Sequence, residues 1–566
     1  MLNGIGVSKG YGIGKVLVYK KADLEFTPRT DCDKTVEKKR FSDALDRFFK
    51  RNEELRLRVA EKLGDSSADI ILGHIMMMKD PYMCSEIENR IEDGDCAETA
   101  VKSVCDMFIT MFSSVDDELT KQRAADVRDI KTELLSYLLG IETVDLSNLP
   151  SDCVLVTEEL TPSMTAQIGG DSVVGFVTEV GSKTSHAAIL ARAMGIPAVL
   201  SVSNAVSRLS NGQLVIVDGI NGEVITTPND ETTAKYMKLR LDFNKKQEEN
   251  KKFIGRKTET ADGIKLDLFA NIGTPDDANQ ALSNDAEGVG LFRTEFLFMD
   301  RTTLPSEEEQ FEAYKKALLI MKGKTVIIRT LDIGGDKEIP YLKLKKEENP
   351  FLGFRAVRYC LKHKELYKTQ LRALLRAAVY GDLGIMIPLI TGVDEVRQVK
   401  ALIDEVKTEL RAESREFSEN FKLGVMIETP SAALTADLLA KECDFFSIGT
   451  NDLIGYTMAV DRGNADVEYL YSAFSPSVLR SVKNIISAAK KENIPVGMCG
   501  ESAADPELIP LLISFGLTEF SVTPTSVLQT RKEISRWSKQ KADEIANAVM
   551  SLETEQQIKT ELAKYF

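Results

Sequence analysis

The sequence predicts a multidomain α/β protein: a small α/β domain carrying an inserted helical subdomain, followed by a (β/α)8 barrel. Three observations predict it. Eight short apolar runs separated by helical text recur over the last 300 or so residues, the count and size of such a barrel. From Lys34 to about Gly140 proline nearly vanishes and apolar residues recur at helical spacing, as in Phe41, Leu45, Phe48 and Phe49. Strand-like text lies on both sides of that helical block.

Residues 1–20 alternate glycine with β-branched residues and read as short strands. The helical block is broken at Asp80-Pro81 and Asp93-Gly94, which suggests about four helices. Strand text returns at Cys153–Thr157, Val173–Thr178, Ala198–Val202 and Leu214–Asp218. We therefore assign 1–33 and 141–228 to one α/β domain and 34–140 to the insert. The charged stretch 229–257 reads as a solvated helical linker, and 258–566 as the barrel. Its candidate strands are Leu266–Asn271, Gly288–Arg293, Thr325–Leu331, Ile385–Leu389, Leu423–Glu428, Phe445–Ile448, Pro495–Cys499 and Glu519–Val522. Periodicity alone also allows an open doubly wound sheet. Closure is favoured because Asn271, Arg293, Arg329, Glu428, Asn451, Asp452 and Cys499 all fall at or just past strand C-termini, which a barrel gathers on one face.

Composition narrows the function. With 72 Lys+Arg against 87 Asp+Glu in 566 residues, the formal net charge is −15. That argues against a general nucleic-acid binder, which needs basic residues to displace phosphate counterions. No apolar run reaches the roughly 20 residues of a membrane helix, and the N-terminus does not read as a signal peptide. The eight cysteines form no C-x-x-C pair and only three histidines are present, which speaks against a zinc or redox motif. Scattered thiols suit the reducing cytoplasm.

Arg329-Thr-Leu-Asp-Ile-Gly-Gly-Asp-Lys337 joins positive charge to two glycines that let backbone approach an anion; a tight βα turn is the plain alternative. Arg293 and Arg462 also stand past strand ends, and three such arginines suit a polyanion, although Arg293 could instead pair with Glu295. Glu428 and Asp452 on neighbouring strand ends suit a hard cation such as Mg2+; helix capping by Asn451 or Asp452 is the alternative. Cys499 is ordinary packing unless its place on the rim makes it a proton donor. His186, after Gly181-Ser-Lys-Thr-Ser, precedes an alanine-rich helix whose N-terminus would favour a phosphate on the imidazole, though a lone histidine is more often structural.

Taken together, GSKTSHAAILARAMGIPAV, RTLDIGGDK, ENPFLGFRAVR, MIETPSA, SIGTNDLIGYTMAVDRGN and PVGMCGE resemble the enzyme I family of the bacterial sugar phosphotransferase system, in order along nearly the whole chain. The resemblance implies a phosphoenolpyruvate-protein phosphotransferase, with a swivelling phosphohistidine domain and a barrel that dimerises. It implies His186 as the phosphorylated nucleophile beside Thr165, and phosphoenolpyruvate held by Arg293, Arg329, Asn451, Asp452 and Arg462, with Arg355 a further contact. Glu428 and Asp452 would bind Mg2+, Cys499 would protonate the departing enolate, and the net-acidic helical insert would dock the phosphocarrier HPr. Two positions depart from the family pattern: Ser182, where a second glycine is usual, and Gly455, where glutamine is common. Pyruvate phosphate dikinase and phosphoenolpyruvate synthase share the histidine and barrel segments, but residues 1–150 have no room for their ATP-binding domain. A non-catalytic docking protein is the reading from another class.

Overall fold

The computed structural model describes residues 1–19, 24, 26–27, 29, 32–63, 65–114, 118–141, 146, 149–160, 164, 168, 172–181, 186–299, 301, 303–334, 339–342, 345, 347–461, 464 and 466–566. Of these, the side chains of 58–63, 65–70, 81, 114, 118–122, 125, 186, 189, 190, 193 and 340 lie outside the description. The chain divides into two units, Met1–Lys246 and Gln247–Phe566.

In the first unit, β1 (Leu2–Asn3), β2 (Ile5–Ser8) and β3 (Tyr11–Tyr19) precede five helices, one more than the sequence suggests: α1 (Lys34–Leu63), α2 (Asp65–Lys79), α3 (Pro81–Glu92), α4 (Ala97–Ser114) and α5 (Glu118–Leu139). One boundary that the sequence reading did not mark falls at the run Asp65-Ser66-Ser67, residue types that favour helix starts. Asp80 caps α3 by accepting from the Tyr82 N–H (2.8 Å), with Pro81 in the first turn where no N–H is missed. Phe41, Phe48, Ile87, Val101, Ile130 and Leu134 form the core of this bundle.

After the bundle come β4 (Cys153–Thr157), β5 (Val173–Thr178), α6 (His186–Met194), β6 (Ala198–Leu200), β7 (Leu214–Asp218), β8 (Glu223–Ile225) and the long helix α7 (Asp230–Lys251). The eight strands make one sheet in the order β1-β8-β7-β3-β4-β5-β6-β2, parallel from β3 through β6 and antiparallel elsewhere. Both faces are covered. Val154, Val156, Val177 and Val217 pack on one side, and Leu155, Phe176 and the α6 alanines Ala187, Ala188 and Ala191 on the other. Burial on two sides explains why β4 and β5 read as unbroken apolar runs rather than alternating ones.

The second unit is a closed barrel of eight parallel strands: β9 (Asp267–Ile272), β10 (Gly288–Arg293), β11 (Val326–Arg329), β12 (Leu383–Ile387), β13 (Lys422–Ile427), β14 (Phe445–Ile448), β15 (Val496–Met498) and β16 (Glu519–Val522). Closure is direct, since β16 pairs with β9 from Glu519↔Asp267 to Val522↔Ala270. That excludes the open sheet. Alternate residues point to opposite faces: Ile328, Ile385, Ile387, Val425 and Ile427 join the layer under the helices, while Leu291, Ile327, Met386, Met426 and Phe445 fill the bore. Among the described residues no helix is long and apolar enough to cross a membrane.

Candidate active site

The bore opens at the strand C-termini into a cavity of about 340 Å³, lined by Arg293, Glu295, Arg329, Asp332, Arg355, Glu428, Asn451, Asp452 and Cys499 among others. Seven of the ten residues expected at the site are therefore brought together: Arg293, Arg329, Arg355, Glu428, Asn451, Asp452 and Cys499. Arg462 lies outside the described residues, as do Thr165, Ser182 and Lys337. His186 opens α6, and its side chain lies outside the description.

Arg329 is the last residue of β11 and is buried. Its Nη2 donates to Glu295 (2.7 Å) and its Nη1 lies 2.9 Å from Asp332. Burial opposes its charge, but Glu295, Asp332 and Glu428 outweigh that and hold it above the usual arginine range. Glu295 thus pairs with Arg329, not with Arg293 two residues before it as local reasoning allowed. Arg355 is likewise buried; it donates to Asp332 (2.8 Å) and Asp452 (3.3 Å), and Asp332 and Asp452 raise its pKa against the desolvation.

A Cβ on Gly334, which has φ 120°, would run into Arg355. This glycine of the Gly-Gly pair makes room for an arginine, rather than for a ligand's approach as the sequence suggested.

Glu428 follows β13 and is 2% exposed. Burial first, then the nearby Asp452 and Asp332 carboxylates, push its pKa up to about 8 despite Arg329 and Arg355. Its Oε1 accepts from the Leu389 N–H (2.6 Å), and Leu389 holds the left-handed φ of 57° that turns that N–H toward it. A Cβ on Gly449 would come within 2.7 Å of the Glu428 Oε2, so the backbone here crowds the carboxylate.

The helix Thr450–Met458 starts at Gly449, which occupies the N-cap position. Asn451 and Asp452 are therefore in its first turn and do not cap it; both line the cavity. Among the described residues no three His, Cys, Asp or Glu gather as a metal cage. Two oxygen-donor carboxylates with raised mutual repulsion suit a hard divalent cation that takes its remaining ligands from water and substrate.

Cys499 comes directly after β15 and is 3% exposed among the bore residues. Its Sγ lies 3.8 Å from the Ile448 carbonyl oxygen, and its own carbonyl accepts from Asn271 Nδ2 (3.0 Å). Burial pushes the thiol up to about 11, with Ser447 and Arg329 pulling the other way. The side chain therefore carries its proton at neutral pH. Asn271 is spent on this bracing, because its Nδ2 also donates to the Ser521 carbonyl and its Oδ1 accepts from Ser521 Oγ.

Sequence reasoning missed Asp332 and Tyr456. Asp332 sits inside the quoted RTLDIGGDK segment but carried no role there. The Tyr456 hydroxyl donates to the Phe351 carbonyl and accepts from Arg355 (3.4 Å), and no local signal announces a tyrosine in a helix as an arginine brace.

Residues 247–539 match the PEP-binding domain of the PEP-utilising enzymes, residues 149–222 their mobile domain and residues 3–123 their N-terminal domain. The chain is 46% identical over 558 residues to a phosphoenolpyruvate-protein phosphotransferase of Bacillus subtilis (strain 168), covering 98% of each chain. It is 45% identical over 565 residues to one of Listeria monocytogenes, covering 100% of this chain and 99% of the relative. With one of Staphylococcus carnosus it shares 43% over 558 residues, 98% of this chain and 97% of that one. The three matched segments, the near-complete coverage and the barrel-end cluster agree, and the chain belongs to the phosphoenolpyruvate-protein phosphotransferase family of PEP-utilising enzymes.

Proposed function

We propose that the chain moves the phosphoryl group of phosphoenolpyruvate onto His186, releases pyruvate, and passes the phosphoryl group to HPr. The observation that carries this reading is the convergence of three arginines, two cation-type carboxylates and a protonated cysteine on one cavity at the barrel's C-terminal face. Phosphoryl transfer is chiefly positioning and charge neutralisation. Arg293, Arg329, Arg355, Arg462 and Asn451 grip the phosphate and carboxylate. Arg329 and Arg355 are already paired with Glu295, Asp332 and Asp452, so a polyanion is better held with a further positive charge. Glu428 and Asp452 hold it as Mg2+, which when bound neutralises charge on the phosphoryl and enolate oxygens.

As the P–O bond breaks and the imidazole N–P bond forms, the enolate of pyruvate is left in the bore. Cys499 gives its S–H proton to the enolate carbon and regains one from solvent. The start of a helix, where His186 stands in the chain, favours added negative charge, which supports its role as the acceptor. It belongs to the first unit and the cavity to the second, so the histidine domain (1–33 and 141–228) swivels, with the hinge inside 221–262, past the paired strand β8. The insert 34–140 docks HPr; exposed Met76, Tyr82, Met107 and Met111 offer the adaptable apolar contacts such a face needs. The barrel dimerises. The free thiols fit a cytoplasmic location.

Incubation with labelled phosphoenolpyruvate and Mg2+, with and without HPr, tests the reading. Wild type should take up acid-labile, base-stable label and lose it to HPr, and His186→Ala should take up none. Equal labelling of both proteins would overturn it.

A further inference from the structure

Behind the cavity wall, and not lining it, lies a polar network built on Gln370 of the helix Lys364–Ala377. Gln370 is fully buried, yet every hydrogen-bonding group of its amide is used. Its Oε1 accepts from the Leu331 N–H (2.9 Å). Its Nε2 donates to Thr294 Oγ1 (3.3 Å) and to the Tyr314 hydroxyl (3.1 Å). Thr294 Oγ1 in turn donates to the Arg329 carbonyl (2.8 Å), and the Tyr314 hydroxyl to Gln310 Oε1 (3.2 Å). The donors and acceptors run in one consistent direction, so the amide has a single orientation: turned over, it would set an NH2 against the Leu331 N–H.

The connected backbone is what matters. Thr294 stands between Arg293 and Glu295, and Leu331 between Arg329 and Asp332. One amide therefore ties together the ends of β10 and β11, which carry four charged groups of the cavity. We propose that Gln370 is a positioning residue for phosphoenolpyruvate, holding Arg293 and Arg329 at the spacing that grips the substrate. This rests on the reading of those arginines as substrate ligands. The polar hub is otherwise costly, because a buried amide contributes little net stability even when satisfied and an aliphatic side chain would fill the same space.

The test is steady-state pyruvate release with the full-length chain, alongside thermal unfolding. Gln370→Leu should lower kcat/KM for phosphoenolpyruvate about tenfold or more, mostly through KM, because the arginines bind ground state and transition state alike. Gln370→Glu keeps the acceptor for Leu331 but takes the Thr294 hydroxyl away from Arg329. Its kcat/KM relative to wild type should recover as pH falls and the new carboxyl regains a proton to donate.

Thr518→Val is the control. Thr518 braces β15 at the opposite end of the bore through the Val496 N–H (2.8 Å) and carbonyl (2.9 Å), so it should cost stability without moving KM. A Gln370→Leu enzyme within about threefold of wild type in kcat/KM, or a Thr518→Val enzyme with the same KM change, overturns the proposal. Should Gln370→Leu fail to fold, Thr294→Val decides, with a raised KM expected and an unchanged one fatal. Arg329→Ala separates the underlying reading: if it leaves KM for phosphoenolpyruvate unchanged, the arginines are not the substrate grip, whatever the Gln370 variants do.

Discussion

Asp332 bridges two arginines: its Oδ1 accepts from Arg355 at 2.8 Å, while its Oδ2 lies 2.9 Å from Arg329. The two guanidiniums come from β11 and from the residue before the helix Ala356–Lys362, so one carboxylate sets their separation. Asp332→Asn would turn an NH2 toward one guanidinium, donor against donor. Removing one partner of a buried charge cluster costs about 3–5 kcal/mol, so thermal unfolding should move down by several degrees. In the proposed reaction kcat/KM should fall roughly tenfold to a hundredfold. Unchanged kinetics in the folded variant would show that the bridge does not organise the substrate grip.

The burial of Cys499 makes a pH statement. With its pKa pushed up to about 11, the thiol stays protonated through neutral pH and is fit to donate. Cys499→Ala should slow pyruvate formation by about 10²–10⁴, the range of a lost general acid, while KM for phosphoenolpyruvate changes little. The wild-type rate should lose nothing to thiol ionisation between about pH 6 and 9. Full activity in the alanine variant would assign the proton to another group.

Glu519 sits at the opposite end of the bore, and its Oε1 has no hydrogen-bond partner among the described residues. Burial, then Asp267 on the paired strand, push its pKa up to about 8, with Lys422 opposing. A carboxyl whose folded pKa lies above its unfolded 4.5 binds more protons in the native state between those values. The stability this group contributes is thus greatest below about pH 4.5 and is lost as pH rises through about 8. Glu519→Gln, which cannot ionise, should match wild type near pH 4 and exceed it above pH 8 by roughly 1–3 kcal/mol. Urea unfolding across that range checks it, and a gap that ignores pH would refute the assignment.

Much of the site could be seen in the linear chain because barrel chemistry is local to strand ends. An apolar run that stops at Arg293, Arg329 or Glu428 marks both the strand and the polar group beyond it. The same local logic failed where partners are distant. Glu295 was weighed against Arg293, two residues away, whereas its partner is Arg329, 34 residues on. Gly334 drew notice as a ligand cradle, yet what it accommodates is Arg355.

What the chain's order of residues decided was therefore the set of elements: eight parallel strands, a helical insert in an α/β sheet, and which polar groups stand at strand ends. Tertiary structure alone decided who faces whom. Closing β16 onto β9 wraps those ends into one ring, bringing Cys499 beside Asn271 and Asp452 beside Arg355 across gaps of 228 and 97 residues. Hydrogen bonds and ion pairs act over about 3 Å, while sequence periodicity reports only on the next turn or the next strand residue. The Gln370 hub is the clearest case. Nothing in its neighbourhood along the chain hints that its amide would hold two strand ends together, and only the packed barrel supplies all three of its partners.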